Sequence, residues 1–152
     1  MRVAVAADHA GFPLYELVIA EVRRLGHEAL GLNRPGPPDP GDDYTDFAQM
    51  VGETVQCGES ERGIVICGSG VGASVAATKL NGIRACLCHD TYSAHQGVEH
   101  DAMNVLCLGA KIIGDALMLE LVRAFLGASF DGAARHQRRL DKIAKIEGSP
   151  RG

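Results

Sequence analysis

Apolar and polar positions fall in blocks whose period changes along the chain. Residues 2–7 form a short, nearly continuous apolar run, the pattern of a strand buried on both faces. Residues 12–25 change to helical spacing, with Leu14, Leu17, Val18, Val22 and Leu25 on one face. Pro13 suits the first turn of that helix and Gly26 its C-terminal stop. A second short strand is predicted over 28–32. Further strands are predicted over 63–67, 83–88 and 104–108, and helices over 45–57, 72–80, 92–99, 114–127 and 132–147.

Between the second strand and second helix lies Asn33-Arg-Pro-Gly-Pro-Pro-Asp-Pro-Gly-Asp-Asp43, with four prolines and two glycines. It reads as a surface loop rather than a domain linker, because the residues on either side of it together make only one domain's length. Strands alternate with helices throughout. That alternation predicts an α/β, three-layer sandwich with a five-stranded parallel sheet. Five strands suggest a flavodoxin-like order 2-1-3-4-5, with a ligand crevice at the carboxyl ends of strands 1 and 3. A single domain covering 1–152 is expected.

The 152 residues include no tryptophan, so the core must come from Val, Ile, Leu and Ala. The net charge of −4 argues against a nucleic-acid partner. No apolar run has the length of a membrane span. Met1-Arg2 leads straight into the first strand without an export signal, and five cysteines without C-x-x-C spacing suggest free thiols. A cytoplasmic location is expected. Cys86, Cys88 and Cys107 read as small buried hydrophobes.

The predicted topology brings Asp8 and His9, after strand 1, opposite Cys67, at the end of strand 3. Gly68-Ser-Gly-Val-Gly72 then opens a helix, where free N–H groups and the helix dipole favour an anion such as a phosphate or an enediolate. Helix N-termini also favour thiolates, and a thiolate beside an oxyanion-binding loop suits proton abstraction α to a carbonyl. The same residues fit two plainer readings, a buried strand-end thiol and an ordinary strand-to-helix turn. The stretch Gly68-Ser-Gly70-Val-Gly-Ala73, with Asp90 about 20 residues on, also meets a loose dinucleotide fingerprint. Arg135 and Arg139, four residues apart, could grip a phosphate or form a solvated face. His136 and Arg138 lie on other faces of that turn. His100 precedes the last strand at its amino end.

Taken in order, these residues resemble a known family. Asp8-His9-Ala10-Gly11, Asp43-Tyr44, Cys67-Gly-Ser-Gly-Val-Gly72, Ala76-Ala-Thr-Lys79, Gly82-Ile-Arg84-Ala85, Glu99-His100, Asn104-Val-Leu and Arg135-His-Gln-Arg-Arg139 run along nearly the whole chain. They resemble the type B ribose-5-phosphate isomerases and the related galactose-6-phosphate isomerase subunits. The resemblance implies an aldose–ketose isomerase of a phosphorylated sugar, ribose 5-phosphate first, in the pentose phosphate pathway.

It also implies roles for the matched residues. Cys67 would move a proton between C1 and C2, with Ser69 beside it where the family usually has threonine. The backbone of Gly68, Gly70, Val71 and Gly72 would hold the enediolate oxygens. His100 would open the sugar ring. Asp8 and Tyr44 would line the sugar site, and His9, Arg135 and Arg139 would bind the phosphate. No metal and no organic cofactor is implied. Homodimers or homotetramers with shared sites are, with the C-terminal helix packing on a partner subunit.

Three positions depart from the family's pattern. Asp101 stands where asparagine is common after the ring-opening histidine, and would line the sugar site as a carboxylate. Thr45 replaces a frequent proline. Lys111 replaces a frequent arginine, keeping the charge but losing the bidentate fork. Asp101 leaves the sugar open. Erythrose 4-, allose 6- and galactose 6-phosphate are alternatives to ribose 5-phosphate, and a nucleotide-binding flavodoxin-like module is the alternative from another class.

Overall fold

The computed structural model describes residues 1–148. Five strands, β1 (Arg2–Ala7), β2 (Glu28–Gly31), β3 (Arg62–Cys67), β4 (Ala85–Leu87) and β5 (Val105–Gly109), form one parallel sheet. The helices are α1 (Tyr15–Arg24), α2 (Tyr44–Gln56), α3 (Val71–Ala77), α4 (Thr91–Asp101), α5 (Asp115–Gly127) and α6 (Ala134–Glu147). A 3₁₀ turn over Phe12–Leu14 precedes α1, where the spacing predicts one continuous helix. The pyrrolidine of Pro13 sits at the start of that turn, where its missing N–H costs nothing.

The strand order is β2-β1-β3-β5-β4, which corrects the expected 2-1-3-4-5. The reason lies in the two strands themselves. β5, Val-Leu-Cys-Leu-Gly, is buried at all five positions, so it needs cover on both faces and takes the place beside β3. β4 has three residues, none fully buried, and Cys86 in its middle is exposed. Such a short, half-wet strand belongs at an edge. Cys86 is therefore not the buried hydrophobe its sequence neighbours suggest, whereas Cys88 and Cys107 are.

Right-handed crossovers then distribute the helices. One face carries α1, α4 and α5, packed on Val3, Val5, Ile64, Ile66, Leu106 and Leu108. The other carries α2 and α3 against smaller residues, among them Ala4, Ala6, Cys67 and Cys107. Small side chains let those two helices approach closely. At Gly63 a Cβ would run into Val51 of α2.

A buried carboxylate ties the first face together. Glu21 on α1 is 4 % exposed and accepts two 2.7 Å hydrogen bonds from Arg24 and one of 2.5 Å from Arg123 on α5. Arg24 first, then Arg123, outweigh the cost of burial and hold its carboxyl at about 2. Arg62 closes the far end of α5, its guanidinium donating to the carbonyls of Phe125 and Ala128. No helix among the described residues is long and apolar enough to cross a membrane.

Candidate active site

Parallel pairing places the carboxyl ends of β1, β3 and β5 side by side. Cys67 pairs with Gly109, and the Asp8 N–H donates to the Ile66 carbonyl at 3.1 Å. Asp8 is 6 % exposed and its Oδ1 accepts from the N–H groups of Ala10 (2.9 Å) and Gly11 (2.8 Å). This Asx turn redirects the chain from β1 into the 3₁₀ turn. Gly11 is required there, because a Cβ would collide with the Ile66 carbonyl. His9, next to Asp8, is exposed.

Cys67 closes β3 with 5 % of its surface exposed. The Gly70 N–H donates to its sulfur at 3.0 Å. Gly70 takes φ +79°, and a Cβ there would strike the Leu87 side chain. The sequence therefore needs glycine at this position to wrap the loop around the sulfur. Ser69 is exposed at the turn, its Oγ 3.3 Å from the Val71 N–H. The turn after β5 supports the loop from beneath, with Ala110 N–H on the Cys67 carbonyl (2.8 Å) and Lys111 N–H on that of Gly68 (3.0 Å). A Cβ on Gly68 would lie 3.8–3.9 Å from the Lys111 stem, so that cation borders the loop.

Tyr44 starts α2 and reaches across to α3. A Cβ on Gly72 would sit 2.6–3.1 Å from three atoms of the phenol. Asp8, His9, Tyr44, Cys67, Ser69, Gly68, Gly70, Val71 and Gly72 are thus brought to one end of the sheet. Sequence reasoning missed Asn33, which extends this end. Its Oδ1 accepts from the Ala7 N–H (2.9 Å) and its Nδ2 donates to the Ala7 carbonyl (2.7 Å), completing the edge of β1 as a strand residue would. Its place at the mouth of a proline loop disguised it. A cavity of about 570 Å³ opens under that loop, lined by Asn33, Pro35, Asp39, Asp42, Phe47 and Met50 rather than by Cys67.

The remaining predicted residues lie elsewhere. α4 runs antiparallel to the strands, so His100 and Asp101 near its C-terminus return to the amino end of the sheet. A strand's length, on the order of 15 Å, separates that end from Cys67. Here the His100 ring lies against that of His136 of α6, centroids 4.0 Å apart and planes tilted by 30°, and Gln96 meets His100 Nδ1 at 2.8 Å. Arg135 Nε donates to His136 Nε2 at 3.0 Å. Arg139 is exposed one turn further along α6. His136 is 1 % exposed and its Nδ1 is 2.9 Å from both oxygens of Asp131. Bonds from the Ala133 N–H, then from His136, hold the Asp131 carboxyl below the usual carboxylate range. Sequence reasoning missed Asp131 and gave His136 no role. The available signal was a histidine wedged beside a candidate arginine, with an aspartate five residues upstream.

The other cysteines separate from Cys67 by environment. A hydrogen bond with Cys88 draws the exposed Cys86 thiol down, and the same bond and burial push Cys88 up. Burial pushes Cys107 up as well.

An open parallel sheet with a thiol, a glycine loop and a buried carboxylate at its switch point defines an α/β enzyme of small anionic substrates. The chain belongs to the ribose/galactose isomerase family, whose model matches residues 3–143. It is 38 % identical over 146 residues to the ribose-5-phosphate isomerase B of Escherichia coli, covering 96 % of each chain. It is 34 % identical over 147 residues to the D-erythrulose-4-phosphate isomerase of Pectobacterium atrosepticum, covering 97 % of this chain and 95 % of that one. Among solved structures, the type B ribose 5-phosphate isomerase of Trypanosoma cruzi superposes with a TM-score of 0.94 at 38 % identity, covering 99 % of this chain and 100 % of that one. The protein is a sugar-phosphate aldose–ketose isomerase.

Proposed function

We propose that this chain interconverts ribose 5-phosphate and ribulose 5-phosphate through an enediolate, with Cys67 as the base. The observation that carries the reading is the Cys67 sulfur seated on the Gly70 N–H at the mouth of the glycine loop, in a chain of this family. The Cys67 thiolate takes the C2 proton of the open-chain aldose. The C2 electron pair then forms the C1=C2 bond, and the charge moves to O1, where loop N–H groups receive it. Ser69 relays a proton between O2 and O1. The Cys67 thiol returns its proton to C1, which leaves a carbonyl at C2 and restores the thiolate. Asp8 and Tyr44 hold sugar hydroxyls, and His9 takes the phosphate.

The site is completed by a second copy of the chain. His100, Asp101, Arg135 and Arg139 stand at the opposite end of the sheet from Cys67, too far to serve the same substrate within one chain. An isologous dimer would place one copy's amino-end group over the other's carboxyl-end group, twice. His100 would then open the sugar ring, Asp101 would contact the sugar, and the two arginines would fix the phosphate.

The test is kcat/KM for ribose 5-, erythrose 4-, allose 6- and galactose 6-phosphate. Ribose 5-phosphate should rank first. A higher value for erythrose 4-phosphate would reassign the substrate toward that of the Pectobacterium relative.

A further inference from the structure

Asp131, His136 and His100 form a cluster whose ligand-type atoms lie within 4.8 Å of one another. It has the composition of a metal site, but its hydrogen bonds oppose one. Both ring nitrogens of His136 are engaged, Nδ1 by Asp131 and Nε2 by the Arg135 guanidinium. A cation there would also face that guanidinium.

The same bonds assign the tautomer of His136. Nε2 faces a donor that can never accept, so Nε2 carries the lone pair and Nδ1 carries the proton. Nδ1–H then donates to Asp131. Asp131 is itself fixed from two further sides: its Oδ1 accepts from the Ala133 N–H at 2.9 Å, and its own N–H donates to the Glu99 carbonyl at 3.0 Å. That last bond ties the loop before α6 to the residue preceding His100.

We infer that Asp131 and His136 are a positioning pair for the isomerase: a neutral, Nδ1–H histidine that fixes the Arg135 fork for the phosphate and forms the wall against which the His100 ring rests. Holding Nε of Arg135 leaves its two terminal amino groups as the pair free to meet a phosphate end-on. The inference rests on the phosphate role proposed for Arg135. Neither Asp131 nor His136 touches substrate. His136 has the burial of a core residue because its ring must be immobile to orient two others.

The test uses the full chain with His136→Phe, His136→Gln, Asp131→Ala and Asp131→Asn. Phenylalanine keeps a ring under His100 but removes the acceptor for Arg135, whereas glutamine can present its amide oxygen near the former Nε2. Hydrogen bonds to charged groups are strong enough that losing this one should raise KM for ribose 5-phosphate about tenfold in His136→Phe. His136→Gln should recover most of that affinity. Asp131→Ala should raise KM as His136→Phe does, and Asp131→Asn, which still accepts from Nδ1–H, should not.

Inorganic phosphate binding, measured by calorimetry, should follow the same order, and this arm needs no turnover. If the wild type turns over no phosphosugar while phosphate binding still follows that order, the substrate reading fails and the positioning pair stands. If ribose 5-phosphate is turned over but KM and phosphate affinity are unchanged in His136→Phe, the positioning pair is overturned. It is equally overturned if all four variants lose activity only in proportion to their loss of Tm.

Discussion

The Gly70 N–H and the Cys67 sulfur are joined by a 3.0 Å hydrogen bond across the turn from β3 into α3. That bond exists because Gly70 adopts a backbone conformation with φ +79°. An L side chain costs about 1–2 kcal/mol in the left-handed region, and here its Cβ would also strike Leu87. Gly70→Ala should therefore lower Tm clearly and reduce kcat more than KM, because the loop moves away from the sulfur. Thermal unfolding and steady-state kinetics check this together.

Gly72 makes a different prediction. A Cβ there presses on the Tyr44 phenol at 2.6–3.1 Å, but Tyr44 is 44 % exposed and can swing outward. Gly72→Ala should leave stability within about 1 kcal/mol of wild type, because the exposed Tyr44 ring can give way, while raising KM for the phosphosugar. A Tyr44→Ala variant should show a similar KM, and the double variant should add little.

Glu21 governs acid stability. Its folded carboxyl titrates at about 2, well below the ordinary value of 4.5. The charged form is the one favoured by folding, so its stabilisation is full above about 4.5 and is lost as pH falls from there toward 2. Glu21→Gln should be less stable than wild type at neutral pH. The two Tm curves should converge as pH drops through that window. Parallel curves would assign the acid sensitivity to other carboxylates.

Much of the fold was legible because period and punctuation agree along this chain. The apolar runs in β1, β3 and β5, the Pro13 start and the Gly26 stop each announce an element. Strand order was less legible. Nothing in the spacing of β3, β4 and β5 says that the chain skips a place and returns. Only the three-residue length of β4 and the full burial of β5 decide it. At the candidate site, Asp8 and Cys67 were predictable neighbours once the first and third strands were taken as parallel and adjacent. The Asp131–His136 pair was not, because a ring contact and a buried hydrogen-bond chain leave no periodic trace. Asn33 was hidden by the prolines just beyond it.

The separation of His100 from Cys67 predicts complementation between chains. Cys67→Ala and His100→Asn variants, each inactive alone, should recover activity when unfolded and refolded together. Random pairing gives one intact site in half of the dimers, so about a quarter of wild-type activity is expected for a two-fold assembly. Failure to recover any activity, with mixed dimers demonstrated by mass, would confine the site to one chain.

The central claim is that Cys67 is the base, and the turnover of folded Cys67→Ala tests it most directly. General-base catalysis contributes about 10²–10⁴-fold, so kcat for ribose 5-phosphate should fall at least that far. Tm should stay close to wild type, because alanine fits among the small residues of that face. Near-normal turnover in the folded variant would contradict a thiolate base at this position.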